Sequence, residues 1–281
     1  HTQKLESLPA TSLARKKCES TKAVYVNDNT ALGSYRVRRG YQRYGAAAYF
    51  DRDFHLIGVY TCCDGKYYDR PSKLADIVDG IDEVNFEFQE FDEWRHALWA
   101  WRVSALALVT VADHLVNVHM IAANALVSTS RTYLPIDHPL RAFLKIFTYR
   151  TISINSKAFL TLTMPKGVIN RNWAFQDDDL QRLLETTPCT FKKNFKDYIP
   201  ASMRDVQEYP ANHDLVVFCD AVTELVRDFL TIIYDAPGTK ERPQLMRNIN
   251  NDKDLQAFLE ALAKQLGLVK STDLSNFSDI V

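Results

Sequence analysis

Two histidines stand close together in the chain, His114 and His119, in the run Asp113-His114-Leu115-Val116-Asn117-Val118-His119. The other five are scattered. Neutral imidazole offers a lone pair near physiological pH, so a close histidine pair is a candidate for metal ligation. The spacing matters. At 3.6 residues per turn, positions five apart on a regular α-helix point about 140° away from each other. They would not share a metal. One extra residue in the turn, a π-bulge, brings them to one face, and such bulges gather at functional sites. The same spacing also fits one core histidine and one surface histidine.

Other chemistry finds less support. No Gly-x-Ser-x-Gly elbow, P-loop or GxGxxG run is present. Glu90 and Asp92, and the run Asp177 to Asp179, read as solvated faces or helix N-termini, where carboxylates are favoured. The five cysteines, Cys18, Cys62, Cys63, Cys189 and Cys219, are odd in number and lack a CxxC spacing. They read as reduced and structural. Lys and Arg total 34 against 35 Asp and Glu, so no nucleic-acid partner is expected.

A long apolar segment must carry the histidines. Asp92 to Asn124 holds no Pro or Gly and reads as one helix. Its longest apolar stretch, Val103 to Ala112, is broken by Ser104 and Thr110. That falls short of the roughly 18 residues a membrane span needs, so no span is expected. Residues 1 to 20 are polar and basic and read as an arm. Residues 22 to 69 read as β-structure, with runs at Ala23 to Val26, Tyr44 to Phe50 and Leu56 to Cys63 separated by turn clusters. From residue 72 the pattern is helical, with helices expected over Pro139 to Thr148, Asp177 to Glu185, Asp214 to Tyr234 and Asp252 to Leu266. The expected fold is mainly α with a small N-terminal β element, as a single helical domain over 21–281. The chain opens at His1 without Met, which reads as trimming, and no signal peptide is visible. The sequence carries no address that fixes a compartment.

A series of short motifs extends the reading. Trp94-Arg95-His96-Ala97 stands 20 positions before His114. After the histidine pair come Leu134 to His138-Pro139, then Ile154-Asn155-Ser156-Lys157-Ala158 and Gly167-Val168-Ile169. Asn172-Trp173-Ala174-Phe175, Tyr209-Pro210 through Asp214-Leu215, and Asp252 to Gln256 complete it. In this order and spacing the series resembles the lipoxygenase family over roughly residues 40 to 266. The resemblance implies a mainly helical catalytic domain, truncated or degenerate relative to the family. It implies non-haem iron, or manganese in its place, whose bound hydroxide takes a hydrogen atom from a polyunsaturated fatty acid before dioxygen adds. It places His114 and His119 at the first two metal histidines. Leu162 and Ile169 fall at apolar channel positions, and Ala158 at the small-residue position tied to oxygen attack. Asn155 shares that helix and also reads as a helix–helix hydrogen bond.

The series departs from the family in its later ligands. No His-x-x-x-Asn segment follows Leu266, and His213 is the only histidine after His138. Either the stretch at Thr272-Asp273-Leu274 stops before the third histidine, or Val281 supplies a terminal carboxylate and completes a facial triad. Ile146-Phe147, Phe159 and Leu98 stand where the family has polar residues. Three readings follow: an iron enzyme acting on an unsaturated fatty acid or similar apolar substrate, a metal-poor fold that binds an apolar ligand, and a fragment completed by a second chain.

Overall fold

The computed structural model describes residues 2–71, 89–188, 191, 198–206, 209–234 and 248–268. The expected ligand at Val281, the Thr272 stretch and Cys189 lie outside the described residues. The chain divides into two compact units. One comprises His1–Ala112, Leu162–Thr186 and Pro200–Glu208, and the other Asp113–Thr161, Thr187–Ile199 and Tyr209–Val281.

The first unit is built on an antiparallel meander. Strands β1 (Thr2–Lys4), β2 (Tyr25–Asp28), β3 (Ala46–Phe50), β4 (Leu56–Thr61) and β5 (Tyr67–Asp69) pair in sequence order. Side chains alternate between faces along a strand. Ala46, Ala48 and Val59 therefore pack on Trp94 and Ala97 of helix α2 (Gln89–Ala107), while Ala47, Tyr49 and Tyr60 pack on Leu8 and Ala14. Small residues in β3 let both covering layers approach. Gly58 in β4 has a further reason: a Cβ there would meet the Tyr67 ring. Ser104 ties α2 to the sheet, its hydroxyl accepting from the Gly45 N–H at 3.0 Å and donating to the Ala100 carbonyl at 2.6 Å.

Residues 1 to 20, expected as a polar arm, hold β1 and the short helix α1 (Leu13–Lys16). Ala14 is fully buried, and its carbonyl accepts from the Tyr49 hydroxyl at 2.6 Å. Strand β1 has no apolar signature because its backbone, not its side chains, does the pairing. The Trp-x-x-Ala motif at Trp94 and Ala97 is a packing feature in this unit.

This unit also holds two short helices, α6 (Val168–Asn172) and α7 (Asp177–Thr186). Phe175, between them, is fully buried against Tyr44, with ring centroids 4.3 Å apart. Asp179 is buried rather than solvated. Arg36 Nε donates to it at 2.6 Å and Arg182 at 2.7 Å. Burial raises the Asp179 carboxyl, but the hydrogen bonds from Arg36 and the charges of Arg36 and Arg182 outweigh it, and the group is held below the usual carboxylate range.

The second unit is helical. It contains α3 (Asn124–Tyr133), α4 (Pro139–Thr148), α5 (Thr151–Ala158), α8 (Pro210–Tyr234) and α9 (Lys253–Gln265). Leu134, Leu140, Leu230, Ile249, Leu255 and Phe258 form its buried core. A polar joint pins three helix ends beside that core. His138 caps α4, its Nδ1 accepting from the Leu140 N–H at 3.1 Å. Nε2 therefore carries the proton and faces Asp252 Oδ2 at 3.1 Å. Asp252 caps α9 by accepting from the Leu255 N–H at 2.9 Å and also accepts from the Tyr234 hydroxyl at 2.7 Å.

The long helix expected over Asp92 to Asn124 runs unbroken to Tyr133. No membrane span was expected from the length of apolar runs. By length and composition this helix is nevertheless long and apolar enough to cross a bilayer, with mean hydropathy 1.5 over its most apolar window. Its middle carries Asp113, His114, Asn117 and His119, polar groups that are costly in hydrocarbon.

Candidate metal centre

Between α2 and α3 the helix leaves the α form. Leu108–Ala123 is a π-helix, π1, far longer than the single bulge expected from the histidine spacing. A π-helix bonds i to i+5, so residues five apart stack on one side. His114 and His119 do so. Their Nε2 atoms stand 3.1 Å apart, with ring centroids at 4.7 Å and ring planes at 76°. His114 is exposed and His119 half-buried.

This separation suits a shared metal. Metal–imidazole bonds are about 2.0–2.1 Å, so two nitrogens at right angles around one ion stand roughly 3 Å apart. The two Nε2 atoms are within hydrogen-bond distance, and a metal that takes both lone pairs replaces that contact. Among the described residues, the one group of three or more His, Cys, Asp or Glu with mutually close ligand atoms lies elsewhere, at Asp51, Asp53 and His55. That cluster sits in the β3–β4 turn, where Asp51 Oδ1 accepts from the N–H groups of Asp53 and His55, both at 2.9 Å.

Asn155 supports the pair from α5. Its amide donates to the His119 carbonyl at 2.6 Å and to Asn124 Oδ1 at 2.9 Å, and the side chain is buried. This is the helix–helix hydrogen bond read from the sequence. Asn124 was not singled out there; an Asn closing a π segment carries no signal until its partner is placed. A cavity of about 710 Å³ opens one residue beyond His119. Met120, Ile121, Ile152, Phe159 and Leu160 form its apolar wall, with Asn124 and Asn155 among its polar groups.

Ala158 ends α5, half-buried, and does not line this cavity. Leu162 and Ile169 belong to the first unit. Leu162 is half-buried in a second π segment, π2 (Phe159–Thr163), and Ile169 is buried in α6. His213 is exposed on α8, 3.3 Å from its neighbour Asp214. The four described cysteines are free, and burial pushes the Cys18, Cys62 and Cys219 thiols up.

No protein-family model matches the sequence, and no curated protein does. Solved structures do match. They include the Delta413-417:GS LOX, with a TM-score of 0.68 and 12% identity over 96% of this chain and 42% of that one. A manganese lipoxygenase of Gaeumannomyces graminis gives 0.67 and 13% over 99% and 51%. A further manganese lipoxygenase structure gives 0.67 and 15% over 98% and 50%. The chain thus has a lipoxygenase-like helical fold with a small N-terminal antiparallel sheet. At these identities the likeness speaks for fold alone. The chain spans about half the length of the solved structures it matches.

Proposed function

We propose that the chain is a lipoxygenase-like oxygenase in which His114 and His119 hold a redox metal, iron or manganese, and an unsaturated fatty acid or similar apolar molecule is the substrate. One observation carries the reading: the two Nε2 atoms lie 3.1 Å apart on a helix whose five-residue period aligns them. Nitrogen donors with open positions suit iron of the oxygenase type. A bound metal of that kind supplies one-electron chemistry with dioxygen. The chain's own part is to hold the metal and its surroundings. Asn155 fixes the carbonyl of His119 and so the second ligand's place on the helix. The apolar wall beyond His119 suits an acyl chain, since each buried CH₂ contributes about 0.8 kcal/mol. The substrate-lining roles implied by resemblance for Ala158, Leu162 and Ile169 remain part of the proposal and are tested by single substitutions.

Oxygen uptake on linoleate tests the reading. Metal-loaded chain is expected to consume oxygen, and His114→Ala and His119→Ala are each expected to stop it. No uptake by fully loaded chain contradicts the proposal.

A second reading keeps the histidine pair but has a second polypeptide complete the site. It is favoured by the exposed apolar residues Ile146, Phe147, Ile152 and Ile154. Large apolar side chains exposed on the consecutive helices α4 and α5 suit a partner surface. A stable, monodisperse monomer with one cooperative melt counts against it.

A further inference from the structure

Helix α8 is apolar on two sides. Cys219 and Leu230 are buried on its inner side. On its outer side Phe218, Leu225 and Ile232 recur every seven residues and are 63%, 53% and 79% exposed. Seven residues are about two turns, so the three side chains form a stripe along the axis. A heptad stripe of large apolar residues is the pattern of a helix-pairing seam. Glu224 and Asp228, both exposed, adjoin it, Asp228 one turn from both Leu225 and Ile232. No ion pair among the described residues engages these two carboxylates. Arg227 is the only Lys or Arg on α8.

The acidic pair selects what fits across the stripe. A second copy of α8 would bring two more carboxylates, and an anionic membrane would bring its own negative charge. Like charges across an interface are unfavourable. From Phe218 to Ile232 the stripe runs about 21 Å along the axis, which suits a helix better than a compact apolar ligand. We propose that the outer face of α8 docks an amphipathic helix of a second polypeptide. Its apolar residues would seat on Phe218, Leu225 and Ile232, and its flanking Lys or Arg would face Glu224 and Asp228. The surface lies on a different helix from the histidine pair, and the proposal stands without a metal there.

The test uses the full chain and two fluorescent model peptides, about three heptads long. One combines Leu with Lys, the other Leu with Glu in the same pattern. Anisotropy is expected to show the Leu/Lys peptide binding about tenfold or more tighter, weakening with salt. Phe218→Ser with Leu225→Ser is expected to weaken it about tenfold or more, with the circular-dichroism melt unchanged. Glu224→Lys with Asp228→Lys is expected to reverse the preference. Equal binding of both peptides, or binding indifferent to these substitutions, overturns the proposal. So does a micromolar dimer that Leu225→Ser dissolves, which assigns the face to a second copy. Displacement of the peptide by uncharged phosphatidylcholine vesicles assigns it to lipid instead and overturns it too.

Discussion

Asn155 fixes the carbonyl of His119 and the amide of Asn124 with one buried side chain. Truncating it strands both oxygens. Asn155→Ala is expected to lower stability by about 1–3 kcal/mol, the cost of leaving buried polar groups unpaired, and to weaken metal binding at the pair. Urea denaturation and metal titration check the two effects, and Asn155→Asp should rescue neither, because a carboxylate does not donate. The histidine pair itself was legible from the chain, since the other five histidines are scattered and these two are not. Asn155 was legible as a hydrogen-bonding residue of its helix. Its partners were not, because they depend on how closely α5 approaches π1.

The element that matters most is π1. Its period makes a spacing of five into a shared face, and that makes a two-sided prediction. Inserting one Ala between Asn117 and Val118 turns the histidines roughly a quarter-turn or more apart, whether the segment stays π or reverts to α. Metal binding is then expected to be lost while helix content remains. Deleting the exposed Val118 leaves the histidines four apart, which an ordinary α-helix places on one face, so binding is expected to survive. Metal titration with circular dichroism reads both variants, and the opposite order would show that the π form does not align the ligands. The bulge was foreseeable from the spacing, but its 16-residue length was not. Propensity does not separate a π-helix from an α-helix of the same apolar residues. At α9, Asp252→Ala removes an N-cap and the acceptor for Tyr234 and His138. A loss of about 1–2 kcal/mol is expected, measured by thermal melting.

At the scale of the molecule, the described residues include three carboxylates with a lowered proton affinity, Asp64 and Asp179 in the first unit and Asp252 in the second. Burial raises Asp252, but hydrogen bonds from the Leu255 N–H, Tyr234 and His138 outweigh it. A carboxyl lowered on folding stabilises above its unfolded value, near 3.9, and loses that contribution as pH falls through the folded value. The melting temperature is therefore expected to fall below about pH 5, and Asp252→Asn to flatten the fall. A melt indifferent to acid would contradict this. The fold class was legible because helical periodicity survives across long segments. The role of residues 1 to 20 was not, since Thr2, Gln3 and Lys4 pair through backbone and carry half-buried polar side chains.

Whether the aligned histidines hold a metal is decided by direct stoichiometry. Purified chain is loaded with manganese or ferrous iron, dialysed, and analysed for metal beside His114→Ala, His119→Ala and, as a control for the turn cluster, Asp53→Ala. About one equivalent is expected in the parent chain and in Asp53→Ala, falling to near zero in either histidine variant. Less than about a tenth of an equivalent in the parent, or undiminished metal in His114→Ala, would contradict the account.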